Sequence, residues 1–196
     1  MHKRSTRGFG VFETLLAKKR AKKAEKLIGW NRDGRILDIG CGAFPHFLTK
    51  TTFAEKYGID LALHKDSMTQ KNIVLKNVNI EKDKLPFPND FFDVIAMLAV
   101  FEHISPNVLE IFLHDVYKKL KKSGRLVITT PAPWSKYPLW FLSRTHLVSR
   151  TEIEDHKTSY SQDIILKMLQ GTGFSKGNIQ RGYFELLLNM WFVAKK

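Results

Sequence analysis

Apolar residues recur along the chain with two periods. Leu109, Phe112, Leu113, Val116, Tyr117 and Leu120 fall at i, i+3, i+4, i+7, i+8 and i+11, one face of an amphipathic helix. Ser105-Pro106 supplies an N-cap and a proline at the first helical position, Lys118, Lys119, Lys121 and Lys122 complement the dipole at its end, and Gly124 stops it. Phe91 to Leu98 is by contrast almost wholly apolar, as a strand buried on both faces of a parallel sheet must be. The same reasoning predicts strands over 35–39, 55–60, 73–79 and 125–130, and a short helix from Pro45 after the turn at 31–34. A helix over 161–170 presents Ile164, Ile165, Met168 and Leu169 on one side, and 178–184 with 187–194 reads as a closing antiparallel hairpin. The loop at 85–90 turns its apolar groups inward.

Strands alternating with helices predict a single three-layer α/β/α domain over residues 1–196, with a mostly parallel seven-stranded sheet ending in the hairpin. A leading helix over 8–28 carries an irregular stripe of Phe12, Leu15, Leu16, Ala24, Leu27 and Ile28, so residues 1–34 form a basic cap across the sheet. Residues 131–160 break the rhythm. Trp134, Tyr137, Trp140 and Phe141 with Lys136, Arg144 and Arg150 predict an insertion over the strand ends on the substrate side.

Charge alters the picture at one end. The net charge is +13, and residues 1–35 hold eleven Lys/Arg against Glu13, Glu25 and Asp33, so most of the excess precedes the first strand. That asymmetry fits an anionic partner such as a phospholipid surface, nucleic acid or a phosphorylated substrate, and equally a solvated helix face. No apolar run reaches the ~20 residues needed to cross a bilayer, and the basic start lacks the apolar core of a secretory signal. The lone cysteine, Cys41, makes no internal disulfide and reads as a small buried filler. A cytoplasmic location is expected, with attachment to a membrane surface through the basic end left open. No metal site is expected.

The chemistry centres on residues 35–45, where Ile36-Leu37-Asp38-Ile39 runs into Gly40-Cys41-Gly42. This is a buried strand feeding a tight loop that opens a helix, with glycines that let the backbone approach a ligand. A dinucleotide loop would have a third glycine where Pro45 stands, and the Lys-Ser/Thr pair of a triphosphate loop is missing. Asp60 follows Gly40 by 20 residues, the interval at which a βαβ nucleotide site places the acid that takes the ribose hydroxyls. Gly40, Asp60 and Phe101-Glu102-His103 are expected to meet at the carboxyl ends of the strands, at the topological switch point.

Five segments in register resemble the class I S-adenosylmethionine-dependent methyltransferases, particularly the ubiquinone- and menaquinone-type group. They are Ile36 to Gly42, Tyr57 to Asp60, Leu85 to Ile95, Val100 to Ile104 and Leu120 to Leu126, with His156 to Phe174 similar to the lead into that family's last helix. The resemblance implies a Rossmann-like methyltransferase fold and S-adenosyl-L-methionine as cofactor. It implies that Asp38, Gly40 and Gly42 hold the methionine end, Asp60 the ribose, and Asn79, Ile80 and Glu81 the adenine edge. Two residues depart from the pattern. Phe44 replaces a common third glycine and tightens the loop; Asn79 replaces an acid, although its amide oxygen still accepts from an adenine amino group.

Methyl transfer to oxygen benefits from a base, and His103 just past the fourth strand suits that task with an unperturbed pKa of about 6.5. Packing or shielding of the cofactor is the other role open to it. His156 is a second catalytic candidate, or a loop anchor, and Glu102 positions neighbouring backbone groups. The resemblance points to a small-molecule, lipid- or glycan-linked acceptor. Ala99-Val100-Phe101-Glu102 stands where nucleobase amino-methylating enzymes carry an Asn/Asp-Pro-Pro-aromatic sequence, so nucleic acid is not favoured. RNA or protein methylation through the basic end, and a non-catalytic membrane-associated module, are the alternatives.

Overall fold

The computed structural model of the protein describes residues 11–29, 32–63, 72–135 and 160–196. Among the described residues the seven strands are β1 (Arg35–Ile39), β2 (Glu55–Asp60), β3 (Ile73–Asn77), β4 (Phe92–Leu98), β5 (Leu120–Pro131), β6 (Ile179–Phe184) and β7 (Asn189–Lys195). They form one sheet in the order β3-β2-β1-β4-β5-β7-β6. β1 to β5 are parallel, and β7 runs antiparallel between β5 and β6. The order reverses between β1 and β4, the crevice where open sheets of this kind hold ligands.

The period of two sorts the core into two layers. Leu37, Ile39, Ile95, Met97, Leu126 and Ile128 pack on one face against α3 (Pro106–Lys119) and α4 (Gln162–Gly171). Ile36, Val94, Ala96 and Val127 pack on the other against α1 (Val11–Ile28) and α2 (His46–Lys50). Leu85 and Phe87 point inward as expected. The Arg125 guanidinium donates to the Ile28 carbonyl at 2.8 Å, which fixes the end of α1 at the amino edge of the sheet. α1 therefore starts near the carboxyl edge.

Several boundaries differ from expectation. The helix ending at Lys119 does not run on to Gly124, because Leu120 is already extended and pairs with Phe92. Ser123 at φ +65° and a register shift between Phe92 and Val94 carry β5 through this stretch. Lys121 thus leaves the helix end and binds the Asp93 carboxylate at 2.8 Å. Ser105 precedes α3 but makes no side-chain cap; its hydroxyl donates to Glu81 instead. Pro45 stands at the N-cap of α2 rather than inside it. β3 ends at Asn77, and a short 3-10 turn at Lys176–Asn178 delays β6 by one residue. On α1, Leu15 is exposed, and the packed positions are Ala21, Ala24, Leu27 and Ile28. Most of the 131–160 insertion lies outside the described residues, as do residues 8–10 of the leading helix.

Candidate active site

The loop after β1 is drawn across the end of β2. The Gly40 and Cys41 amides both donate to the Ile59 carbonyl, at 2.8 and 3.2 Å. Gly40 and Gly42 take φ of +73° and +74°, open to glycine at little cost. A Cβ on Gly40 would stand 2.3 Å from Val100 Cγ2, so the approach of this loop to the segment after β4 also needs glycine. Asp60 then ties the loop down: its Oδ2 accepts from the Gly42 amide and its Oδ1 from the Ala62 amide, each at 2.7 Å. Phe44 does not close the loop. It is 78% exposed, whereas Cys41 is buried in the interior.

On the neighbouring rim, Asn79 Oδ1 accepts from the Glu81 amide at 3.1 Å. Glu81 Oε1 accepts from the Ser105 amide at 3.0 Å and hydroxyl at 2.6 Å, so this carboxylate fastens the segment after β3 to the start of α3. Ile80 packs at the edge of the α3 layer. His103 lies in the 3-10 turn Phe101–His103 after β4, its amide donating to the Val100 carbonyl. Glu102 is 3% exposed and accepts from the Thr130 hydroxyl at 3.0 Å, joining that turn to the end of β5 through a side chain rather than the backbone expected. His156 lies outside the described residues.

A cavity of about 30 Å³ sits over the first loop, lined by Asp38, Gly40 and His46 from below and by Ala17, Arg20 and Ala21 of α1 from above. Asp38 is 3% exposed, a carboxylate held almost entirely in the interior. The sequence reading missed Arg20, although a signal existed: Ala17, Ala21 and Ala24 at helical spacing leave room for α1 to lie close to the sheet. The residues around this loop fit the implied cofactor. Positive-φ glycines give the backbone approach, Asp38 and Arg20 offer opposite charges to an amino-acid end, and each Asp60 oxygen keeps a lone pair for a hydroxyl.

Residues 11–176 match the model of a protein family described as "Methyltransferase domain". The chain belongs to that family. The methyltransferase is similar to solved structures described as S-adenosylmethionine-dependent methyltransferases, in agreement with the expected cofactor. One from Archaeoglobus fulgidus is 20% identical with a TM-score of 0.68, covering 95% of each chain. Another from Mesorhizobium loti is 19% identical with a TM-score of 0.67, covering 92% of this chain and all of the other. At such identities the likeness establishes the Rossmann-like fold. Over 98 residues the methyltransferase is also 28% identical to the cyclopropane-fatty-acyl-phospholipid synthase of Escherichia coli K12, a match covering 49% of this chain and 26% of the relative.

Proposed function

We propose that this methyltransferase transfers the methyl group of S-adenosyl-L-methionine to oxygen on a small-molecule, lipid- or glycan-linked acceptor. The observation that carries the reading is the joint held by Asp60. One carboxylate at the end of β2 braces the glycine loop after β1, beside a buried Asp38, at the switch point of the sheet. Asp38 and the loop backbone would hold the amino-acid end with Arg20, Asp60 the ribose, and the 79–81 segment the adenine edge. When bound, the cofactor supplies a methyl group activated by its positive sulfur. The protein's share is then alignment and proton removal. His103 would take the acceptor's proton, and Glu102 with Thr130 would keep its turn in place.

The name of the E. coli relative supports a lipid-borne acceptor. No described helix is long and apolar enough to cross a membrane, so such an acceptor would be reached from the surface. Calorimetry with S-adenosylmethionine, followed by an acceptor screen of lipids, glycans and small hydroxyl compounds, tests the reading. Cofactor heat and a methylated hydroxyl are expected; no heat with wild-type protein sinks it. His103→Ala should lower turnover about 100-fold or more with cofactor affinity unchanged. Unchanged turnover would assign His103 to packing, and a methylated RNA or protein would replace the acceptor.

A further inference from the structure

Single exposed apolar side chains are ordinary on a protein surface, but a cluster on one rim is not. The turn joining β6 to β7 is Glu185-Leu186-Leu187-Leu188, in which Leu186 is 94% and Leu187 58% exposed. The first three residues have φ of +52°, +54° and +67°, a left-handed run that β-sheet hairpins usually give to glycine or asparagine. The turn is held in this form. The Leu188 amide donates to the Glu185 carbonyl at 3.0 Å, Asn189 Nδ2 to Glu185 Oε2 at 2.6 Å, and Trp134 Nε1 to the Leu187 carbonyl at 3.1 Å. Trp134, itself exposed, lies 5.3 Å from the Tyr183 ring. The leucines thus project from a hydrogen-bonded turn.

That projection lies at the carboxyl ends of the parallel strands, because Asn189 pairs with Pro131 at the end of β5 and the Ala132 amide donates to the Leu188 carbonyl. Exposed Phe44 and Leu61 follow β1 and β2 on the same edge. Basic charge stands beside the turn. Lys19 of α1 reaches Glu185 at 3.8 Å, and Lys23 lies 4.5 Å over the Trp191 ring. Leu15, Lys18, Lys19 and Lys22 are exposed on this part of α1, and Glu25 further along it is paired with Arg32 at 2.9 Å.

We propose that this rim docks on an anionic phospholipid bilayer, with Leu186 and Leu187 entering the interface and Lys18, Lys19 and Lys22 meeting the headgroups. An anionic bilayer fits both halves of the surface. Projecting leucines gain by leaving water, and neighbouring lysines gain from a negative surface potential. Nucleic acid would use the lysines and leave the leucines in water. Docking at this edge turns the site described above toward the bilayer; that it thereby delivers a lipid-borne acceptor rests on the proposed function, whereas the docking itself does not.

Sedimentation of the full chain with phosphatidylcholine vesicles, with and without about one-third phosphatidylglycerol, tests the proposal. Binding should be at least about tenfold tighter with the anionic lipid and should weaken as salt rises. Lys18→Glu/Lys22→Glu, which leaves the Lys19 contact intact, should lose about tenfold or more. Leu186→Ser/Leu187→Ser should also lose about tenfold or more, with wild-type melting and wild-type S-adenosylhomocysteine heat showing that fold and cofactor site are untouched. Absence of vesicle binding, leucine variants that bind as wild type, or a dimer in light scattering that Leu186→Ser/Leu187→Ser returns to monomer would each overturn it. Vesicle binding without cofactor heat would keep the docking surface and remove the methyltransferase reading.

Discussion

The Asp60 carboxylate and the Gly42 amide meet at 2.7 Å, and this bond couples the end of β2 to the loop after β1. The residue proposed for the ribose thus also shapes the loop proposed for the amino-acid end of the cofactor. Asp60→Ala removes the partner of two amides, Gly42 and Ala62. Bonds to a charged group contribute about 1.5–3 kcal/mol each. S-adenosylhomocysteine affinity should fall at least tenfold by calorimetry, and Asp60→Asn, which keeps one acceptor, should fall less. Equal affinity in Asp60→Ala and wild type would remove Asp60 from the site.

Gly40→Ala should destabilise the fold by about 2–4 kcal/mol, combining a left-handed φ for a residue with a Cβ and a collision with Val100. Urea denaturation of Gly40→Ala and of Gly40→Ala/Val100→Ala separates the two causes. The second substitution should relieve the collision and leave the backbone cost. A single variant as stable as wild type would contradict the close approach.

Arg20 shares its cavity with Asp38 and Gly40, which suits it to a cofactor carboxylate. Arg20→Met should weaken S-adenosylhomocysteine about tenfold or more in calorimetry. It should leave 5′-methylthioadenosine, which lacks the amino-acid carboxylate, within about twofold. Equal losses for both ligands would mean that Arg20 supports α1 and not the carboxylate.

Glu185 in the hairpin turn has its carboxyl pushed above the ordinary value by burial, with Lys19, Arg20 and the Asn189 bond opposing that rise. The folded protein thus binds this proton more tightly than the unfolded chain. Stability falls as pH rises from the unfolded value of about 4.5 through the raised folded value, and the full cost is present above it. Glu185→Gln keeps an acceptor for Asn189 and has no such cost. Its melting temperature relative to wild type should increase between pH 4 and pH 7.5; a gap independent of pH would show that Glu185 titrates normally.

Local pattern alone determined the α3 face, the apolar β4 strand, the seven-strand count and the pairing of a glycine loop with Asp60 at the end of β2. These follow from periodicities and from residue types whose conformational demands act over a few positions. Tertiary structure decided what depends on partners distant in sequence. Leu120 became strand rather than helix because Phe92 offers it a sheet edge. Ser105 gave up its cap for Glu81, 24 residues away. Arg20 joined the site because three alanines let α1 lie close over the first loop, and Leu186 became a projection because β7 turns back beside β5. A hydrophobic residue in the sequence indicates burial on average; only the packed sheet reveals which leucines it leaves in water.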